Sequence, residues 1–315
     1  MNRYKSLIPI FAYLSILSAA CQGLVAQDSH NDSWQPLFNG KDLAGWRHYL
    51  AKPDKSVEVE GWKKNEKGEY ARPLGLDNDP LDIFTVVEKD GGPAIRISGQ
   101  VIGNLFTEKQ YENYHLKLQF RWGDIKWGWM KGRPRDGGIL YHYNRTKQGL
   151  SWRHEYQIHE GDVGSWWAKH IRVAIPAEWT TDIPASIKQA TPFLIEHVQT
   201  LGDKMLLHQT GASLYQFEGK PEWQICIANP YNEKPAGQWN TLEVICYENH
   251  ALHRINGTEC LALLNSTVMV DGKEQPVSRG SIQLQSEGAE LFFRDVMIKS
   301  LDEMPKELKR LVETK

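Results

Sequence analysis

Hydrophobic residues recur at every second position along much of this chain. The clearest run is His115–Trp122, where Leu116, Leu118, Phe120 and Trp122 alternate with Lys117, Gln119 and Arg121. A half-buried β-strand imposes this period, because successive side chains point to opposite faces. Ile139–Tyr143, Lys204–Leu207, Thr241–Tyr247, Ser281–Leu284 and Leu291–Ile298 are further predicted strands. Glycine-bearing turns separate several of them, at Asp90-Gly91-Gly92, Ile255-Asn256-Gly257 and Val270-Asp271-Gly272-Lys273, as tight hairpins require. Helical periodicity is confined to Pro305–Glu313. Many strands with one short terminal helix predict an all-β fold, a jelly-roll sandwich of two antiparallel sheets. Two stretches, Gly123–Gly137 and Val163–Pro192, break the pattern and read as long loop insertions. Both carry tryptophan, which argues against disorder.

One predicted strand is polar where the others are apolar. Ser151–Asp162 reads SWRHEYQIHEGD, so period 2 puts Glu155, Gln157 and His159 on one face and His154, Tyr156 and Ile158 on the other. A face bearing a carboxylate, an amide and an imidazole buries nothing apolar and is expected to line a wet cleft. A bulge after Ile158 would turn Glu160 onto the face of Glu155. The competing reading is an edge strand that shows solvated charges.

Composition narrows the function classes. The 37 basic and 39 acidic residues nearly balance, and no basic run stands out, which excludes a nucleic-acid partner. Twelve tryptophans are many for 315 residues. Some of them fill a β core, but Trp127, Trp129, Trp166 and Trp167 fall in the two irregular stretches, where indole faces would meet ligand. At the N-terminus, Arg3 and Lys5 precede the apolar run Leu7–Leu17, which is too short to span a bilayer, and Ser18-Ala19-Ala20 leads into Cys21. This pattern looks like a lipoprotein signal over residues 1–20, with Cys21 lipidated. Simple secretion with cleavage near Ala26 is the alternative. The expected organisation is then a linker over 21–33, a sandwich over 34–301 and a terminal tail with its helix over 302–315, on an exported periplasmic or outer-membrane lipoprotein that meets the membrane only through its lipid anchor. Cys226, Cys246 and Cys260 match no metal motif, can form at most one disulfide and read as buried small hydrophobes.

Three segments in order carry a resemblance: Leu37–Trp46 (LFNGKDLAGW), then Asp136–His142 (DGGILYH) with Glu155–Glu160 (EYQIHE), then Gly280–Leu301, preceded by Gly237–Val244. Together they resemble the 3-keto-disaccharide hydrolase family, whose fold is that of concanavalin-like lectins and glucanases. The resemblance implies a sugar site on the concave sheet, with Glu155 and Gln157 at the family's Glu and Gln positions and Glu160 where Asp is usual. Gln285-Ser286-Glu287-Gly288 stands where the family has Gln-Asp-His-Gly, so Glu287 replaces a histidine, and Arg294-Asp295 replaces Arg-Asn. The segment around Glu155 also fits, more weakly, the Glu-x-Asp-x-x-Glu pattern of laminarinase-type glycosidases, with Gln157 in place of Asp.

The implied reaction is cleavage of a 3-keto-glycoside. A ketone at C3 acidifies the C2 proton; a base removes it, and the C1–O bond breaks by elimination, after which water adds. Glu155 or His159 is the expected base, Arg121 or Arg294 the enolate stabiliser, and Glu160, Glu287 or His142 the acid, with Gln157, Gln285, Trp127 and Trp166 as sugar contacts. A retaining endo-glucanase using Glu155 and Glu160 and a non-catalytic carbohydrate-binding lipoprotein are the alternatives. No cofactor is required, although His142, Glu155 and His159 together would suit a divalent metal. The substrate partner is an oligosaccharide or glycoside, supplied in this reading by a sugar 3-dehydrogenase acting upstream.

Overall fold

The computed structural model describes residues 33–175, 205–207, 213–217, 220–228 and 230–313. Cys21 and the signal, Lys204, and the part of the second long stretch beyond residue 175 lie outside the described residues. Two antiparallel sheets make up the fold. One runs β12 (Ile171–Ala174), β18 (Thr258–Val270), β17 (His250–Ile255), β16 (Asn240–Tyr247), β8 (Tyr114–Lys126), β21 (Ala289–Ser300), β5 (Gly92–Ile97) and β4 (Phe84–Lys89), with β1 (Gln35–Pro36) on β21 and β19 (Lys273–Pro276) on β18. The other runs β13 (Met205–Leu207), β14 (Ser213–Phe217), β15 (Lys220–Cys226), β11 (Trp166–Lys169), β10 (Ser151–His159), β9 (Asp136–Arg145), β20 (Arg279–Ser286), β6 (Gly103–Thr107), β2 (Trp46–Leu50) and β3 (Gly75–Leu76), with β7 (Tyr111–Glu112) on β20.

Alternation decides which side chains fill the space between the sheets. Leu116, Leu118, Phe120 and Trp122 of β8 are buried, and Lys117 between them is exposed. They meet Leu105, Ile139, Tyr141, Tyr156, Ile158 and Leu284 from the facing sheet in one continuous core. Each such side chain contributes about 1.5–3 kcal/mol through its removal from water. The hairpin turns have the conformation their residues favour: Asp90-Gly91, Asn256-Gly257 and Asp271-Gly272 all have positive φ at both positions, as a turn that follows the strand twist demands. The terminal helix, α1 (Lys306–Glu313), buries Leu308 and Leu311 on one stripe.

Both predicted loops contain strand. β8 runs on through Gly123 to Lys126, and Ala289 pairs with Lys126; a Cβ on Gly123 would collide with the Glu290 carboxylate. In the second stretch, β11 forms because Trp166 and Ala168 alternate inward as the strand pairs with β10 and β15, and β12 buries Ile171 and Val173 as it pairs with β18 in the other sheet. β10 is therefore an internal strand, flanked by β9 and β11, and its polar residues are not the solvated face of an edge. The bulge also lies elsewhere. Register slips between Trp152 and His154 of β10, where β9 carries an extra residue at His142 (φ 50), and none is recorded after Ile158. Cys226, Cys246 and Cys260 are buried free thiols, and burial pushes each up to about 12.

Candidate active site

The outer face of the second sheet collects polar residues from four adjacent strands. Opposed residues in antiparallel strands share a face. Glu155 opposes Leu140 and Trp167, Gln157 opposes Gly138, His159 opposes Asp136, and Gln283 opposes Leu140 and Phe106. Gln285 opposes Asn104 one step further across. These groups are largely shut off from solvent: Glu155 is 7% exposed, Gln157 5% and Gln283 4%.

Gly138 is the point at which they meet. A Cβ there would lie 2.7 Å from Gln285 Oε1 and 3.2 Å from Glu155 Cγ and Oε1, so the missing side chain is what admits both groups to one spot. Asp136 Oδ1 accepts hydrogen bonds from Gln157 Nε2 at 2.7 Å and from the Gly137 amide at 2.9 Å. Arg153, two residues before Glu155 on the same face, places Nη2 3.8 Å from Glu155 Oε2. Gln285 Oε1 and Asn104 Oδ1 are buried acceptors without a hydrogen-bond partner. Such atoms cost stability unless something donates to them, and sugar hydroxyls are donors of the right kind.

Charge is crowded here. Burial raises Asp136 well above the usual carboxylate range, and the negative charges of Glu287 and Glu155 raise it further. Burial, and then the charge of Glu155, pushes Glu287 up to about 8. Burial also raises Glu155, but the Arg153 guanidinium opposes the rise. Burial is thus the first cause at all three carboxyls, and the Arg153 guanidinium opposes it at Glu155 and at Glu287. His159, on the same face, is lowered to about 4 by burial and is neutral.

The sequence model of the 3-keto-alpha-glucoside-1,2-lyase-like domain matches residues 33–299. The chain belongs to this family. Membership gives the protein a carbohydrate-active enzymatic role. No curated protein matches the chain in sequence. Among solved structures, two Parabacteroides distasonis proteins described as glycosyl hydrolases are similar. One is 18% identical with a TM-score of 0.42, covering 86% of this chain and 95% of the other. The second is 17% identical with a TM-score of 0.40, covering 85% and 100%. A Bacteroides ovatus mixed-linkage glucan glycoside hydrolase solved with an oligosaccharide product is 8% identical with a TM-score of 0.41, covering 85% and 98%. With all three scores below 0.5, the functional reading rests on the family and the site geometry.

Within this family member, the residues expected at the site from sequence separate into groups. Glu155, Gln157, His159 and Gln285 share the polar face. Glu287 follows Gln285 by two residues; the charge of Glu155 raises it, and its own charge raises Asp136. Glu160 is held apart, its carboxylate accepting from the Arg135 backbone amide at 3.0 Å and from Nη1 at 2.7 Å. Arg121 and Arg294 stand on the outer side of the other sheet. Arg121 is paired with Asp90, and Arg294 lies 4.0 Å from the Trp239 ring centroid and donates to Gln119. Trp166 is fully buried between the sheets, with its Nε1 2.8 Å from His154 Nδ1. His142 also points inward, against Tyr114, Tyr141 and His154, and burial lowers it to about 3. His142, Glu155 and His159 therefore do not converge on a metal, because the first is on the opposite face of the sheet from the other two. Among the described residues no other trio of metal-binding side chains gathers. Trp127 is fixed by Nε1–H donating to Ser98 O at 2.8 Å and lines a cavity beside Gly288. Sequence reasoning passed over Asp136, Gly138, Arg153 and Asn104. Arg153 was legible, since it precedes Glu155 by one strand period.

Proposed function

We propose that the protein cleaves 3-keto-glycosides by elimination across C1 and C2. Glu155 is the base, Glu287 the acid, and Arg153 the cation nearest the developing enolate. The observation that supports this is the convergence of Glu155 and Gln285 at Gly138, with the Arg153 guanidinium 3.8 Å from the Glu155 carboxylate, on a face largely shut off from solvent. Glu155 takes the C2 proton, and the electron pair left on carbon delocalises onto the C3 ketone oxygen. That pair then forms the C1–C2 double bond as the C1–O bond breaks, and the departing oxygen takes the Glu287 proton. Glu155 ends protonated and Glu287 ionised, and exchange with solvent resets both. Gln157, Gln285 and Asn104 supply amides for the sugar hydroxyls. The 3-keto substrate is taken from the family description, and the acid–base pairing from the site geometry.

Replacing Glu155 with Gln keeps the shape and removes the base. Turnover of a 3-keto-glucoside is expected to fall by about 10²–10⁴-fold with KM little changed. A well-folded Glu155→Gln variant with near-normal kcat would move the base to another residue.

A further inference from the structure

We propose that the polar face runs out into an aglycone site at Tyr49 and Leu76, and that this site takes an apolar group, aryl or alkyl, rather than a sugar. This deepens the elimination reading and rests on it, because the group leaving C1 must extend toward the acid. The base, Glu155, is on β10. The acid, Glu287, follows the last residue of β20, and β9 lies between those two strands. From base to acid the direction is therefore across the sheet, and the strands beyond β20 on that side are β6, β2 and β3.

Register follows one row of side chains along that direction. Gln157 opposes Gly138, and Gln285 reaches the same Gly138 from β20. Gln285 opposes Asn104, Asn104 opposes Tyr49, and Tyr49 opposes Leu76. Opposed residues share a face, and none of these six carries a charge. The row changes character after Asn104. Up to that point it offers amides, and Asn104 Oδ1 is a buried acceptor without a hydrogen-bond partner. Beyond it come Tyr49 and Leu76, 43% and 51% exposed. A single exposed apolar side chain is ordinary, but these two are cross-strand neighbours in line with a buried site. Neighbouring strands are about 4.8 Å apart, which puts Tyr49 about 5 Å past Asn104 and Leu76 about 10 Å past it. Hydroxyls of the reacting sugar extend as far as Asn104, and the group carried on C1 meets the apolar pair. The charges beside that pair cancel each other, since Arg47 Nε donates to Asp77 Oδ2 at 2.9 Å. A second sugar would set hydroxyls against Leu76, which has no partner to offer them. An aryl or alkyl group sheds only water there.

The test compares methyl 3-keto-glucoside, octyl 3-keto-glucoside and a 3-keto-glucosyl-glucose disaccharide in the wild type, Tyr49→Ala, Leu76→Asn and the double variant. Both positions are exposed, so neither change opens the core. The ratio of kcat/KM for the octyl glycoside to that for the methyl glycoside is expected to fall about tenfold in each single variant, while the ratio of disaccharide to methyl glycoside holds. Saturation-transfer NMR with unoxidised octyl glucoside, below its micelle concentration, is expected to show contact along the alkyl chain in the wild type and to lose it in the double variant. An octyl-to-methyl ratio that neither variant changes overturns the aglycone site, and leaves the elimination reading standing if the methyl glycoside is still turned over. A fall confined to the disaccharide ratio also overturns it, because the row would then be a track for sugar. Alkyl contact that the double variant abolishes, in a wild type that turns over none of the three glycosides, supports the aglycone site and counts against the elimination reaction instead.

Discussion

At Gly138 a single hydrogen stands where Gln285 and Glu155 would meet a methyl group. Its backbone is not in the left-handed region, so alanine meets no conformational barrier there. The nearest atom is the far end of a flexible glutamine. Gly138→Ala is therefore expected to fold with a melting temperature within a few degrees of the wild type. Activity should still fall by roughly 10²-fold, the cost of moving reacting groups by about 1 Å. Equal losses of stability and activity would show that the glycine serves packing alone. This residue also shows what the sequence could not convey. Glu155, Gln157 and Gln285 were legible because each alternates with apolar neighbours on its own strand. The convergence at Gly138 depends on register between strands far apart in sequence, and Asp136 read as the end of a loop. His142 and Trp166 were misjudged for a related reason: an imidazole or indole looks functional in a sequence, and only the packed neighbours reveal a core position.

Among the elements, β9 departs from regular pairing at one point. The extra residue at His142 turns an imidazole into the core beside Tyr141 and His154, and His253 reaches the same place from β17 to bond Tyr141 Oη at 2.8 Å. Burial lowers His142 to about 3 and His253 to about 4, and lowers His154 as well. The unfolded chain binds these protons near pH 6.5 and the folded chain does not, so their contribution to stability falls as pH drops from about 6.5 toward the folded values. Glu287 and Asp162, raised to about 8 and about 7, act with the opposite sign, because the folded state binds their protons more tightly and stability declines as pH rises from about 4.5 through those values. His142→Asn isolates one histidine while keeping a residue that tolerates positive φ. In urea denaturation the variant is expected to be less stable at pH 7, with the gap to wild type closing by up to about 1.4 kcal/mol per pH unit below 6.5. A gap that stays constant from pH 7 to pH 5 would mean that His142 takes up its proton equally in both states.

Across the whole molecule, the two sheets treat their outer faces differently. On β8, β21 and β5 the arginines are matched, Arg121 by Asp90, Arg294 by Gln119 and the Trp239 ring, and Arg96 by Glu290. On β10, β9, β20 and β6 the outward groups are buried acids and unpartnered amide oxygens. Strand periodicity disclosed the two-sheet architecture, but it did not distinguish a structural polar face from a reactive one, and so Arg121 and Arg294 were expected at a site that lies on the other sheet. In the proposed reaction this polar face takes a proton from the carbon beside a ketone and returns one to a departing oxygen. The most direct measurement follows the hydrogen at C2. A 3-keto-glycoside deuterated at C2 is turned over in ordinary water and its products are read by NMR, with enzyme-free exchange subtracted. Elimination strips the deuterium from C2 in every turnover and slows the reaction where proton removal limits the rate. Products that keep their deuterium through complete conversion would contradict elimination and leave displacement at C1, with Glu155 as nucleophile.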